Sequence, residues 1–185
     1  RALSVRVCLE IFSGCGRLSR ALRACGRLTL AWDISNGPAF DITLRKTRSL
    51  ILGWLKGNLI AAVHLATPCG TFSRIRDRPN GPPRLRSDTH VTGLPGLEGP
   101  ALIEVSQGNM FASFSASVLK LCMILGIPGT IENPKSSRIW LYPSIVALSR
   151  CRHRVHTPSP LSRPSSIVLD FCQFGTDWRK PTKVL

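Results

Sequence analysis

Apolar positions in this chain fall into short runs, separated by stretches with a helical repeat. Val5 to Phe12 is one such run, and it ends at Ser13-Gly14-Cys15-Gly16, which reads as a strand followed by a tight turn. Arg17 to Cys25 carries Leu18, Ala21, Leu22 and Cys25 at helical spacing, with Gly26 as a helix stop. Leu28 to Trp32 reads as a second strand, ending at Asp33. Arg45 to Leu55 reads as an amphipathic helix with Leu44, Leu52 and Leu55 on one side. Leu59 to Ala66 is almost uninterrupted apolar sequence, as expected of a strand buried in a parallel sheet.

Residues 74–100 break this rhythm. Five arginines (74, 76, 78, 84 and 86) alternate there with prolines and glycines, which predicts a long, basic, mobile loop. Ala101 to Leu125 then reads as a long helix with Leu102, Val105, Met110, Phe114, Val118, Leu121 and Leu125 in the core. Ile127 to Ile131 reads as a strand ending at Glu132-Asn133-Pro134. A short helical piece follows at 142–148, then a Pro/Ser/Arg-rich loop at 149–166 and a last strand from Ile167 to Phe171. The alternation predicts an α/β fold: one domain over 1–185, with a mostly parallel sheet and helices on both faces.

Charge changes the picture. Lys and Arg number 25 against 10 acidic residues, a net +15. Such an excess favours a polyanionic partner, with nucleic acid ahead of an acidic membrane surface. No apolar run reads as long enough to span a bilayer, so no membrane role is expected. The seven cysteines follow no short repeated spacing, and several sit inside apolar segments. That suits an intracellular, reducing compartment, the nucleus among them. Cys151, His153, His156 and Cys172 match no standard ligand spacing, so no metal is expected.

In open α/β sheets, ligands bind beyond the carboxyl ends of the strands. Thr67-Pro68-Cys69 would therefore hold a thiol at a fixed point over a cleft as a nucleophile, unless Cys69 is a simple buried core thiol. Glycines 14 and 16 let the backbone pass close to a ligand, or serve only the turn. Asp33 could take a ribose, and Asp41 an adenine edge. Glu132 could share the cleft of Cys69 and move a proton, or act as a cap or salt-bridge partner.

Together these residues resemble the cytosine-5 methyltransferases, which use S-adenosylmethionine. Leu9-Glu10-Ile11-Phe12-Ser13-Gly14-Cys15-Gly16 is similar to that family's opening cofactor motif. Trp32-Asp33 is similar to its ribose and adenine contact, and Phe40-Asp41-Ile42 to its next cofactor motif. Thr67-Pro68-Cys69-Gly70-Thr71-Phe72-Ser73 resembles its Pro-Cys loop, and Glu132-Asn133 its Glu-Asn motif. Phe174 to Lys180 resembles its late basic motif more loosely. The motif order agrees along nearly the whole chain.

The resemblance implies a Rossmann-like methyltransferase fold and methylation of cytosine carbon 5 in nucleic acid, DNA ahead of RNA. Cys69 and Glu132 would be catalytic. Phe12, Ser13, Gly14, Gly16, Trp32, Asp33, Asp41 and Pro68 would bind the cofactor. Ser73, Arg74, Arg76, Asn133, Arg179 and Lys180 would meet the nucleic acid. Ala31 and Arg17 depart from the family, which has Glu and Gly at those places. With no target-recognition region, the chain resembles a truncated or divergent core of the sort mobile elements carry. The alternative is a catalytically inactive nucleic-acid-binding remnant with the same fold.

Overall fold

A computed structural model describes residues 5–150, 165–174 and 180–185. The strands are β1 (Val7–Ile11), β2 (Thr29–Trp32), β3 (Ile60–Leu65), β4 (Gly129–Pro134), β5 (Ile167–Asp170) and β6 (Pro181–Val184). The helices are α1 (Arg17–Ala24), α2 (Arg45–Lys56), α3 (Gly99–Leu125) and α4 (Pro143–Arg150). The strands form a six-stranded mixed sheet in the order β2-β1-β3-β4-β6-β5. Strands β2, β1, β3 and the start of β4 pair in parallel, whereas β6 runs antiparallel to both β4 and β5. The α/β class is as the sequence predicts. Strand β6 is not, because Pro181-Thr182-Lys183-Val184 has no apolar run to announce it.

Two compact units make up the chain: Arg1–Thr67 with Ser117–Ile131, and Pro68–Ala116 with Glu132–Leu185. In the first, β1 lies between β2 and β3, so successive crossovers leave it in opposite directions. Such a reversal opens a crevice at the carboxyl ends of the strands. Leu9, Ile11, Ile51, Leu55, Val63, Leu65 and Ile131 form its core. Helix α2 buries Thr47, Ile51 and Leu55, a four-residue repeat, rather than the expected Leu44 side. Leu44 precedes the helix and is exposed. Helix α1 buries only Ser19, while Ala21 and Cys25 face solvent. A Cβ at Gly129 would come within 3.0 Å of the Leu119 side chain and 3.2 Å of Cys122 Cβ, so α3 meets β4 at a glycine. Burial there pushes the Cys122 thiol up to about 12, leaving it a packing group.

The second unit corrects the expectation of a mobile 74–100 loop. Arg86 is fully buried, and its guanidinium donates to four neutral acceptors: Thr71 Oγ1 (2.9 Å), Asn109 Oδ1 (2.7 Å), the Val105 carbonyl (3.0 Å) and the Val91 carbonyl. It also lies 3.9 Å over the Phe72 ring. Phe72 meets Tyr142 edge-on, and the Tyr142 hydroxyl donates to the Asn109 carbonyl. The segment is thus pinned from inside.

Helix α3 is, among the described residues, the one helix long and apolar enough to cross a membrane, contrary to the sequence expectation. Ala112, Ser115 and Val118 along it have no exposed surface, so it is packed as a core helix. Leu102 and Leu125, read as core, are exposed, and small residues at 108, 112, 115 and 116 take their place.

Gly108 is where Arg86 passes α3. An added Cβ would stand 2.7 Å from Thr71 Oγ1 and 2.8 Å from Arg86 Nη2. Gly108→Ala should therefore cost about 1–3 kcal/mol in urea unfolding through overpacking. Gly53→Ala, in open space on α2, should gain up to about 1 kcal/mol. Equal effects at the two glycines would contradict this assignment.

Candidate functional site

The turn after β1 is the most constrained backbone of the first unit. Phe12, Gly14 and Gly16 all have positive φ (60°, 50° and 65°). For the non-glycine Phe12 this is a strained conformation of the kind that gathers at functional sites. Glu10, buried in β1, anchors the helix that follows: its carboxylate accepts the Ser19 amide (2.8 Å) and the Ser19 hydroxyl. An anion is thereby placed at the positive end of α1, whose own first turn has no acidic residue.

Asp33 ties the next strand end to the same turn. Its carboxylate accepts the Gly14 amide and the Ser35 amide, each at 2.9 Å. Burial pulls its pKa upward, but the Ser35 and Gly14 amides outweigh that, and the net shift is below the ordinary value of 3.8. Ser13 is 8% exposed and its hydroxyl is buried with no hydrogen-bond partner. A buried orphan hydroxyl between strained Phe12 and Gly14 fits a polar ligand edge, and a Cβ at Gly14 would meet nothing within 4 Å. These features fit the cofactor that the resemblance implies.

Trp32 is 5% exposed, its indole N–H donates to the Phe40 carbonyl (2.9 Å), and its ring packs against Phe40 and Trp54 at 4.7 and 5.3 Å, which holds the 33–41 loop. Asp41 is half-buried, and its carboxylate accepts the Thr43 amide at 2.7 Å.

In the second unit Pro68 is exposed and Cys69 half-buried. Cys69 opens the 3-10 turn Gly70–Phe72 by accepting the Phe72 amide at its carbonyl (2.8 Å), and the next two residues, Thr71 and Phe72, are buried. Ser73 caps the following turn through Ile75 N. Arg76 binds the Gly70 carbonyl (3.1 Å), the Pro83 carbonyl (3.0 Å) and Glu104, which pins the Cys69 turn to α3.

Glu132 and Asn133 lie in the last three residues of β4, the strand end that the sequence predicts, and pair there with Val184 and Lys183 of β6. The added strand β6 extends the ladder past Ile131, and Asn133 is 3% exposed. The segments after Cys69 and after Glu132 are joined directly. Arg74 Nε donates to the Ser136 carbonyl (2.9 Å), and buried Arg138 pairs with Asp77 and with Asp88 at 3.0 Å. Burial opposes the Arg138 charge, but the two carboxylates prevail and its pKa rises. Arg74 also binds Asp88 at 2.8 Å, and Arg84 binds Asp77 at 3.3 Å.

So Arg74 and Arg76, expected to meet nucleic acid, are bonded to the protein. Lys180 is exposed; Arg179, most of the late basic motif, and Cys151, His153 and His156 lie outside the described residues. Among the described residues no group of His, Cys, Asp or Glu could hold a metal. Sequence reasoning missed Glu10, Arg86 and Arg138 as organising residues. The available signal was Asp77 and Asp88, two of ten acidic residues, set among the arginines. No family model, curated protein or solved structure matches this chain.

Three carboxyls titrate below their ordinary value of 3.8: Asp33, Asp77 (through Arg138 first) and Asp88 (through Arg74 first). Each binds its proton more weakly folded than unfolded. Their stabilisation is therefore complete above the unfolded value and is lost as pH falls through the lower folded ones. Thermal melts should be level above about pH 5 and fall below about pH 4. Asp77→Asn should melt lower at neutral pH and show a shallower acid decline; an unchanged acid limb would count against the ion-pair network.

Proposed function

We propose that this chain is a cytosine-5 methyltransferase core that uses S-adenosylmethionine and acts on nucleic acid, DNA ahead of RNA. The finer fold reading, Rossmann-like with helices on both faces of the sheet, belongs to the same proposal. The observation that supports it most is the bracing of the Cys69 segment against the segment after Glu132, by Arg74 to Ser136 and by Arg138 to Asp77 and Asp88. A nucleophile and a carboxylate that must act on one ring need that kind of mutual fixing.

Cytosine carbon 5 is too weak a nucleophile to accept a methyl group unaided. The Cys69 thiolate adds through sulfur to carbon 6, while protonated Glu132 donates to ring nitrogen 3. The displaced electron pair then enriches carbon 5 as an enamine. S-adenosylmethionine, when bound, supplies an electrophilic methyl group for that carbon. Loss of the carbon 5 proton to a base restores the ring double bond, expels the Cys69 thiolate and returns the nitrogen 3 proton to Glu132. Because a stacked base cannot reach the thiol, the cytosine is flipped out or single-stranded. Ser13, Gly14 and Asp33 would hold the cofactor: the serine by its unpaired hydroxyl, the glycine by its open approach and the aspartate by its remaining acceptor capacity.

Two observations favour the inactive nucleic-acid-binding remnant instead. The arginines nearest Cys69 are taken up by protein acceptors, and Ala31 stands where the family has Glu. Cofactor binding separates the two. Saturating S-adenosylmethionine should add about 2–3 kcal/mol of stability, a shift of several degrees in Tm. Cys69→Ala should keep that shift and lose methyl incorporation into cytosine-containing DNA. No shift at saturating cofactor would favour the remnant.

A further inference from the structure

We propose that Arg17, Arg20 and Arg27, on and just after α1, form the surface that tracks nucleic-acid phosphates, in place of the arginine loop after Cys69. The inference rests on the nucleic-acid half of the proposed function and not on methyl transfer.

The first unit has ten Lys and Arg side chains among its described residues but only three carboxylates, at 10, 33 and 41. Each of those carboxylates accepts a backbone amide: Glu10 from Ser19, Asp33 from Gly14 and Ser35, Asp41 from Thr43. The ion pairs among the described residues lie in the second unit, where they occupy Arg74, Arg76, Arg84 and Arg138. Of the five loop arginines that the sequence singles out, Arg78 alone is exposed without a side-chain partner among the described residues, so the loop meets little of the polyanion attraction implied by +15.

Helix α1 meets it instead. Arg17, Arg20 and Arg27 are exposed and have no side-chain partner among the described residues. Arg17 and Arg20 stand in the first half of α1, at its positive end, where cations are electrostatically unfavourable. The fold offers no reason for them there. They lie three residues apart on neighbouring positions, about 4.5 Å along the axis. At the other end Gly26 takes φ 73°, and Arg27 N donates to the Leu22 carbonyl (2.9 Å), which folds Arg27 back over the last turn.

The residues between these arginines decide what approaches. Ala21 and Ala24 are exposed and small, so a backbone can come close. Leu18 and Leu22 of α1 are half-buried, which leaves Leu28, just past Arg27, as a single exposed large apolar side chain, less than insertion into a lipid surface would need. Guanidinium forks suit phosphate oxygens in pairs. Helix α2 also carries exposed Arg45 and Lys46 in its first turn, but exposed Leu44 and Leu50 flank them, Arg48 binds the carbonyls of Ile42 and Thr43, and Lys56 sits at the C-terminus, where a cation is ordinary.

The test is anisotropy titration of a fluorescent DNA duplex with the full chain carrying Cys69→Ala, without cofactor, over about 50 to 200 mM salt. Arg17→Gln/Arg20→Gln/Arg27→Gln should lower the log–log salt slope by about 2–3 and the affinity at least tenfold at the low end. Arg45→Gln/Lys46→Gln/Lys56→Gln, with the same charge removed, should change the slope by less than about 1. Equal losses in both variants, or none in the α1 variant, would overturn the proposal. So would an α1 variant that loses binding to phosphatidylserine vesicles while keeping DNA. A starting protein that ignores DNA altogether removes the nucleic-acid reading itself; one that binds while the α1 variant is unchanged removes only this surface.

Discussion

A buried guanidinium with no carboxylate against it organises the second unit. Arg86 is held by two carbonyls, a threonine hydroxyl, an asparagine oxygen and the face of Phe72. Burial lowers its pKa to about 10, with the neighbouring groups contributing less, so it stays charged at neutral pH. Removing a charge from water is costly, and neutral acceptors offset that cost only when all are in place. Gly108 leaves the space, and Thr71 and Phe72 supply the lid. Because those two residues follow Cys69 and Gly70, the thiol sits on a turn whose far end is locked. It is not carried on a free loop.

Scarcity of acid gives the rest of the structure its form. In the first unit Glu10, Asp33 and Asp41 are taken by backbone amides that shape the turn and loop after β1 and β2. In the second, Asp77 and Asp88 gather Arg74, Arg84 and Arg138. Four of the five arginines of the 74–100 loop are bonded within the protein, to carboxylates or to neutral acceptors, while Arg17 and Arg20 of α1 stay in water. The chain thus separates its cations into those bonded within the protein and those exposed to solvent.

Strands β1 to β4 and helices α1 to α3 were legible because apolar runs and a helical repeat report burial directly. The seam of α2 was misplaced because Thr47 and Ile51 bury where leucine was favoured, and α3 was misread for a related reason. Its packed face includes Gly108, Ala112, Ser115 and Ala116 beside the expected Val105, Phe114 and Val118, and the small residues carry little hydrophobic signal yet allow close approach. Strand β6 exists by pairing with β4 and β5, not by its own composition, and it adds an antiparallel partner to the strand end that carries Glu132. Residue types at the candidate site were legible; their partners were not. Long-range bonds such as Arg74 to Ser136, or Arg86 to Asn109, join positions that no local pattern connects. Trp32 shows the converse, a motif residue whose ring the fold takes for its own packing.

The central claim is that one thiol adds to a pyrimidine ring and leaves again only after carbon 5 has lost its proton. Fluorine at carbon 5 blocks that departure. Incubation with S-adenosylmethionine and an oligonucleotide bearing 5-fluorocytosine should give a covalent protein–nucleic acid species by intact mass, methylated, mapped to the peptide containing Cys69 and absent in Cys69→Ala. An adduct that persists without that sulfur, or none at saturating cofactor and oligonucleotide, would contradict it.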